Sequence, residues 1–227
     1  MDFYLFFNHT IYVSLHIQLV KKGMIMNAKK NIYLLISIIS LFSNVLLFSQ
    51  IRVGMDVSGS FDISYPSVLD QDSKDYDADS GIIIGYDYMV QKQDKLSLGV
   101  GAEYMMQRGV EDFSEGKAAF HSIYGFGKYL IDDKMYGLAR LGYNIHTGDD
   151  DYTDTEPIGG KIDLSGGMMF TFGGGYSLTP QLNIEASYSS HSGGFEWSGS
   201  AIDEIYGGDL DFKLKYTRFN IGFVYTP

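Results

Sequence analysis

The sequence predicts an all-β fold: an eight-stranded antiparallel, up-and-down transmembrane β-barrel preceded by a signal peptide. Three observations predict it. From residue 51 onward apolar residues alternate with polar or small ones almost without a break, the two-residue period of a strand. The connections between these segments are short and long by turns. The composition, with 18 Tyr and 15 Phe against one Trp, and 27 Gly against 4 Pro, suits strands joined by tight turns.

The N-terminus reads as targeting sequence. Residues 1–25 precede a complete export signal that starts at Met26, and read as an upstream extension. Residues 26–49 form the signal peptide: Lys29 and Lys30 give a basic start, residues 32–48 an uncharged apolar run, and Ser49 a small exit residue. Cleavage is expected after Ser49 or one residue later, leaving residues 50–227 as the barrel domain. The run is at the short limit for a spanning helix and no positive cluster follows it. Removing residues 1–49 leaves 13 basic and 27 acidic residues, a net charge of −14 against −11 for the whole chain. Such a balance argues against a nucleic-acid partner, which needs clustered Lys and Arg. The absence of Cys excludes disulfides, thiol catalysis and cysteine zinc sites, and no cofactor is expected.

The strands follow in order. The first, 51–61, sets Ile51, Val53, Met55, Val57 and Phe61 opposite Arg52, Gly54, Asp56, Ser58 and Ser60. The second, 81–90, sets Ile82, Ile84, Tyr86, Tyr88 and Val90 opposite Gly85 and Asp87, and a five-residue turn at 91–95 leads on. The third begins at Leu96 and runs to Met106 on its apolar face, with Gly99, Gly101, Glu103 and Gln107 on the other. The fourth, 117–130, has apolar residues on both faces; Lys128 is placed inward because a charge facing lipid is costly. The fifth sets Leu141, Tyr143 and Ile145 opposite Arg140, Asn144 and His146. The sixth, 161–176, sets Ile162, Leu164, Met168, Phe170, Phe172 and Tyr176 opposite Gly167, Thr171, Gly173 and Gly175. The seventh sets Leu182, Ile184, Ala186 and Tyr188 opposite Asn183, Glu185, Ser187 and Ser189. The last, 213–225, sets Phe219, Ile221, Phe223 and Tyr225 opposite Arg218, Asn220 and Gly222, and is expected to pair back to the first so that no edge stays open.

A soluble eight-stranded barrel of lipocalin type has the same period with its apolar side inside. Two features favour the membrane version. Tyr88, Tyr104, Tyr143, Tyr188 and Tyr225 recur towards the ends of the apolar face, where an aromatic girdle lies, and the opposite face is crowded with Gly and Ser. With the signal peptide, the loop alternation, segments such as Tyr136-Gly137-Leu138-Ala139-Arg140-Leu141-Gly142-Tyr143 and the aromatic last strand, residues 51–227 resemble the small eight-stranded outer-membrane barrels. These include outer-membrane protein X, the transmembrane domain of outer-membrane protein A and the opacity-type, porin-like surface proteins. The resemblance implies the outer membrane of a Gram-negative bacterium, a monomer, contact with lipid and lipopolysaccharide, and recognition by the insertion machinery through Phe219, Ile221, Phe223 and Tyr225. Such chains commonly finish on an aromatic residue; here Thr226 and Pro227 follow Tyr225.

The face assignment turns eight charges inward, Arg52, Lys128, Arg140 and Arg218 against Asp56, Asp87, Glu103 and Glu185. In a narrow lumen they survive only when paired and hydrogen-bonded, so an internal salt-bridge network is expected. The long connections are acidic: residues 70–79; Glu111, Asp112 and Glu115; Asp149, Asp150, Asp151, Asp154 and Glu156; and Glu196, Asp203, Glu204 and Asp209. Their spacing matches no calcium loop, and no metal site is expected. The expected role is therefore non-enzymatic, structural or surface-binding. One alternative is a narrow pore for small solutes. Another is an esterase: residues 189–194 are similar to the His and Ser site of outer-membrane lipid A deacylases, with His191 as base, Ser189 or Ser192 as nucleophile, and Glu185 or Glu196 as the orienting carboxylate. That family places Ser two residues after the His and Asn next, where this chain has Gly193 and Gly194.

Overall fold

A computed structural model describes residues 49–110, 113–148 and 161–227; side chains are described at all of these except 113–116. The expected upstream extension and nearly all of the signal peptide lie outside the described residues, as do Glu111, Asp112 and the acidic run of 149–156. The strands are β1 (Ser49–Ser64), β2 (Lys74–Asp77), β3 (Ile82–Gln93), β4 (Leu96–Met105), β5 (Arg108–Val110) and β6 (Phe113–Leu130). They continue as β7 (Met135–Gly148), β8 (Lys161–Ser165), β9 (Gly167–Ser177), β10 (Leu182–Ser198) and β11 (Leu210–Tyr225), and among the described residues one α-helix, α1 (Ser200–Tyr206), precedes the last.

Eight of these strands close a ring in the order β1-β3-β4-β6-β7-β9-β10-β11, and β11 returns to β1. The seam is fully antiparallel: Tyr225 lies opposite Ile51 on one side and Leu182 on the other. Closure leaves no exposed edge in the ring. The short strands extend the wall at one end, β2 on β1, β5 on β6 and β8 on β10. That end carries the long connections and is called the loop end. The opposite turn end carries both ends of the ring and three tight turns. In the first, Asp94 takes the left-handed conformation (φ 44°). In the second, backbone N–H groups of Lys134 and Met135 donate to the Asp132 carboxylate at 2.8 Å each and hold its pKa below the usual range.

The wall is apolar outside and charged inside. Ile51, Val53, Ile84, Val100, Leu141, Phe172 and Phe223 are exposed on the outer face, whereas Arg52, Asp87, Glu103, Arg140, Glu185 and Arg218 are buried within. A soluble barrel would have the reverse distribution; this one matches hydrocarbon outside, so the chain is a transmembrane barrel. Among the described residues no helix is long and apolar enough to cross a membrane, and the strands make the crossing.

The structure corrects several sequence expectations, and single inserted residues cause most of them. Asp56 pairs with Asn220 but Ser58 with Phe219, so Val57 is a bulge and the faces of β1 exchange beyond it. Phe61, expected on the lipid face, is therefore buried inside against Tyr216, and Ser58, expected inside, is exposed. The sixth strand breaks at Gly166 into β8 and β9, with one extra residue relative to β10. Ile162 and Leu164, expected beside Met168 on the lipid face, are half-buried opposite Trp197 and Phe195. A side chain at Gly166 would collide with the Asn144 carbonyl, so the bulge requires glycine. The turn after β3 has two residues rather than five, because Val90 is a bulge and pairing runs on to Gln93 and Leu96.

Candidate functional site in the barrel lumen

Narrow eight-stranded barrels are filled by their own side chains, and in this one the filling is layered. The charged layer is one connected path. Asp56 Oδ2 accepts from Arg108 Nη2 at 2.8 Å and Nε at 3.0 Å, while its Oδ1 accepts from Arg218 Nη1 at 3.2 Å. Asn220 and Tyr216 also donate to Asp56, at 3.2 Å each. Arg218 continues to Glu103, whose other oxygen accepts from Arg52 Nη1 at 2.8 Å. Arg52 Nη2 donates to the Tyr124 hydroxyl at 2.8 Å, and that hydroxyl donates to Asp87 at 2.6 Å. Asp87 faces Arg140 at 3.5 Å and Lys128 at 3.8 Å, and both cations pair with Glu185 at 2.8 Å. Tyr136 donates to Glu185, and Lys128 also donates to the Gln50 amide oxygen, ending the path near the turn end.

The pairing explains why charges tolerate this interior. An isolated ion loses its hydration and returns little, whereas each carboxylate here meets at least two cations or charged-group donors. Glycines leave the space: a Cβ at Gly85 would stand 2.6 Å from Arg52, and one at Gly101 2.5 Å from Asp87 and 2.6 Å from the Tyr124 ring. Gly101→Ala is accordingly expected to lower stability by about 1–3 kcal/mol through overpacking, read as a lower urea midpoint in lipid vesicles.

Arg108 is the charged lumen residue absent from the sequence reading, so among the described residues the balance of four cations and four carboxylates becomes five against four: Arg52, Arg108, Lys128, Arg140 and Arg218 with Asp56, Asp87, Glu103 and Glu185. β4 stops at Met105, and β5 turns Arg108 back over Gly81 into the wall. Its one sequence signal was being a cation in a connection whose next charges are Glu111, Asp112 and Glu115.

Towards the loop end the ions give way to an aromatic layer. Phe61 stacks on Tyr216 at 4.5 Å, and Phe120 on His146 at 4.8 Å and on His191 at 5.8 Å. Ile83, Met105, Ala119 and Leu214 complete the cluster. Nearer the loops a second cluster gathers Ile202 of α1, Leu210 and Phe212, with Tyr65, Phe195 and Trp197 packed against it.

The residues proposed for ester hydrolysis are not brought together. Residues 189–194 lie within β10, which runs on to Ser198, and His191 is fully buried in the aromatic layer. Neither His191 nitrogen has a hydrogen-bond partner among the described residues. Ser189 bonds to Thr171 at 2.8 Å, and Ser192, exposed beside the inward-facing His191, donates to the Met168 carbonyl at 2.9 Å. Glu185 is held by Lys128 and Arg140, and Glu196 lies in β10 beyond the aromatic layer. His121, the remaining histidine of the strands, stacks on Tyr104 at 4.6 Å. Among the described residues no group of three metal-ligating side chains assembles.

No protein-family model matches the chain, and no curated protein does. Solved structures are similar in fold. The attachment invasion locus protein Ail of Yersinia pestis is 12% identical with a TM-score of 0.43, covering 78% of this chain and 97% of its own. Neisserial surface protein A is 15% identical with a TM-score of 0.45 over 79% and 97%. The outer membrane protein OprG of Pseudomonas aeruginosa is 16% identical with a TM-score of 0.44 over 79% and 96%.

Proposed function

We propose that this chain is a non-enzymatic outer-membrane barrel whose body is a sealed structural element and whose loops meet the cell's surroundings. One observation carries the reading: ion pairs run from Arg108 to Arg52 and from Asp87 to Glu185, the Tyr124 hydroxyl joins the two runs across the lumen, and the aromatic layer of Phe61, Phe120 and Tyr216 is stacked above them. To conduct, the barrel would have to separate several buried pairs at once, each of which costs about 3–5 kcal/mol to break from one side.

The loop end faces outward in this reading. Asp70, Asp72, Asp75, Asp77 and Asp79 give its first connection a hydrated acidic surface able to meet lipopolysaccharide through bridging cations. The apolar face of β11, with Phe219, Ile221, Phe223 and Tyr225, supplies the signal to the insertion machinery, and the closed ring needs no second copy. The deciding test is ion flux: barrel folded into liposomes is expected to give no conductance above empty vesicles, while the same sample shows a mobility shift between unboiled and boiled detergent gels. Steady conductance from the folded band would replace this reading with the narrow pore.

A further inference from the structure

The outer wall changes from apolar to polar along the β10–β11–β1 seam. From the turn end, the outward side chains of β11 are Tyr225, Phe223, Ile221 and Phe219, then Thr217, Lys215 and Lys213. A strand rises about 3.3 Å per residue. At a tilt of about 40°, Lys215 therefore stands roughly 25 Å above Tyr225, the height of the apolar band of outer-membrane barrels. With Tyr225 at one boundary, the two ammonium groups stand at the other.

Lys215 lies in register between Ser192 and Asp62, and Lys213 between Gly194 and Ser64. Among the described residues neither lysine has an ion-pair partner, Asp62 included. The same groove is bordered by Met168 and Phe170, which are 58% and 47% exposed on the outer wall. Two unpaired cations at headgroup height, hydroxyls beside them and an apolar border form a site for an amphiphile with an anionic head. Asp62, directly across the strand pair from Lys215, also lines the groove, with one of its oxygens buried.

We propose that this seam binds a phosphorylated lipid A-type glycolipid of the outer leaflet, with a phosphate between Lys213 and Lys215 and an acyl chain along Met168 and Phe170. This deepens the lipid contact suggested above and rests on that reading only for the loop end facing the outer leaflet. The closed lumen is tested separately by conductance, which the seam lysines do not enter.

The experiment is native mass spectrometry of the folded barrel in neutral maltoside micelles titrated with diphosphorylated lipid A. Wild type is expected to retain one lipid. Lys213→Gln/Lys215→Gln is expected to need at least about tenfold more for equal occupancy, two charge-assisted contacts being lost. Lys213→Arg/Lys215→Arg and the turn-end control Lys92→Gln/Lys95→Gln are expected to bind as wild type, all four proteins first showing the heat-modifiable band. Equal retention by the Lys213→Gln/Lys215→Gln protein, or equal retention of dephosphorylated lipid A, overturns the site. Displacement of the lipid by millimolar inorganic phosphate would also overturn it, by reducing it to a general anion patch.

Discussion

Asp56→Ala is expected to destabilise the barrel by about 3–5 kcal/mol, because it leaves buried cations without their counter-ion. Asp56 accepts from Arg108, Arg218, Asn220 and Tyr216, all inside the wall. Arg218 keeps Glu103 as a partner, but Arg108 pairs with no other carboxylate among the described residues and would retain only the carbonyls of Met106 and Ile82. The loss should therefore be borne mainly by Arg108. A cycle with Asp56→Ala/Arg108→Met tests this: the double variant is expected to be more stable than Asp56→Ala alone, since it removes the orphaned guanidinium. Equilibrium urea unfolding in vesicles, followed by the fluorescence of Trp197, the sole tryptophan, measures both. A change below about 0.5 kcal/mol for Asp56→Ala would mean that the cations are hydrated and the lumen is wet.

How far the sequence could be read follows from the physics of the strand period. Where pairing is unbroken, counting by two fixes the face: Arg140 points inward and Leu141 outward in β7, as Glu185 and Ala186 do in β10. The fourth strand, apolar on both sides, was decided by Lys128, and the charge rule sends Phe120, Tyr124 and Phe126 inside with it. Counting fails at bulges, because one extra residue reverses every later side chain while leaving the written alternation intact. Val57 and Gly166 reverse Phe61, Ile162 and Leu164 in this way, and so the aromatic layer was only partly foreseen. Arg108 and His191 escape a sequence reading as lumen groups for a related reason: both follow the last residues that the period assigns in their strands, Gln107 and Ser189, and only three-dimensional pairing extends the wall to include them.

Leu141→Arg is expected to cost about 2–4 kcal/mol in a bilayer, the penalty for a cation at the midplane of a lipid-facing wall. Leu141 is 62% exposed and lies at the middle of the fourteen-residue strand β7, between Arg140 and Gly142 of the inner face. Its replacement touches no lumen pair, so the loss reports only the medium outside. The same substitution at Met135, the outward residue that opens β7 at the turn end, is expected to cost only about 0–1 kcal/mol, since the guanidinium reaches the headgroups there. Urea titration of both variants in vesicles gives the difference directly. Equal small losses at the two depths would place Leu141 in water and return the barrel to the soluble class. A gradient from Met135 to Leu141 requires hydrocarbon around the middle of the wall, and that medium is also what obliges the charges on the opposite face of β7 to find their partners inside.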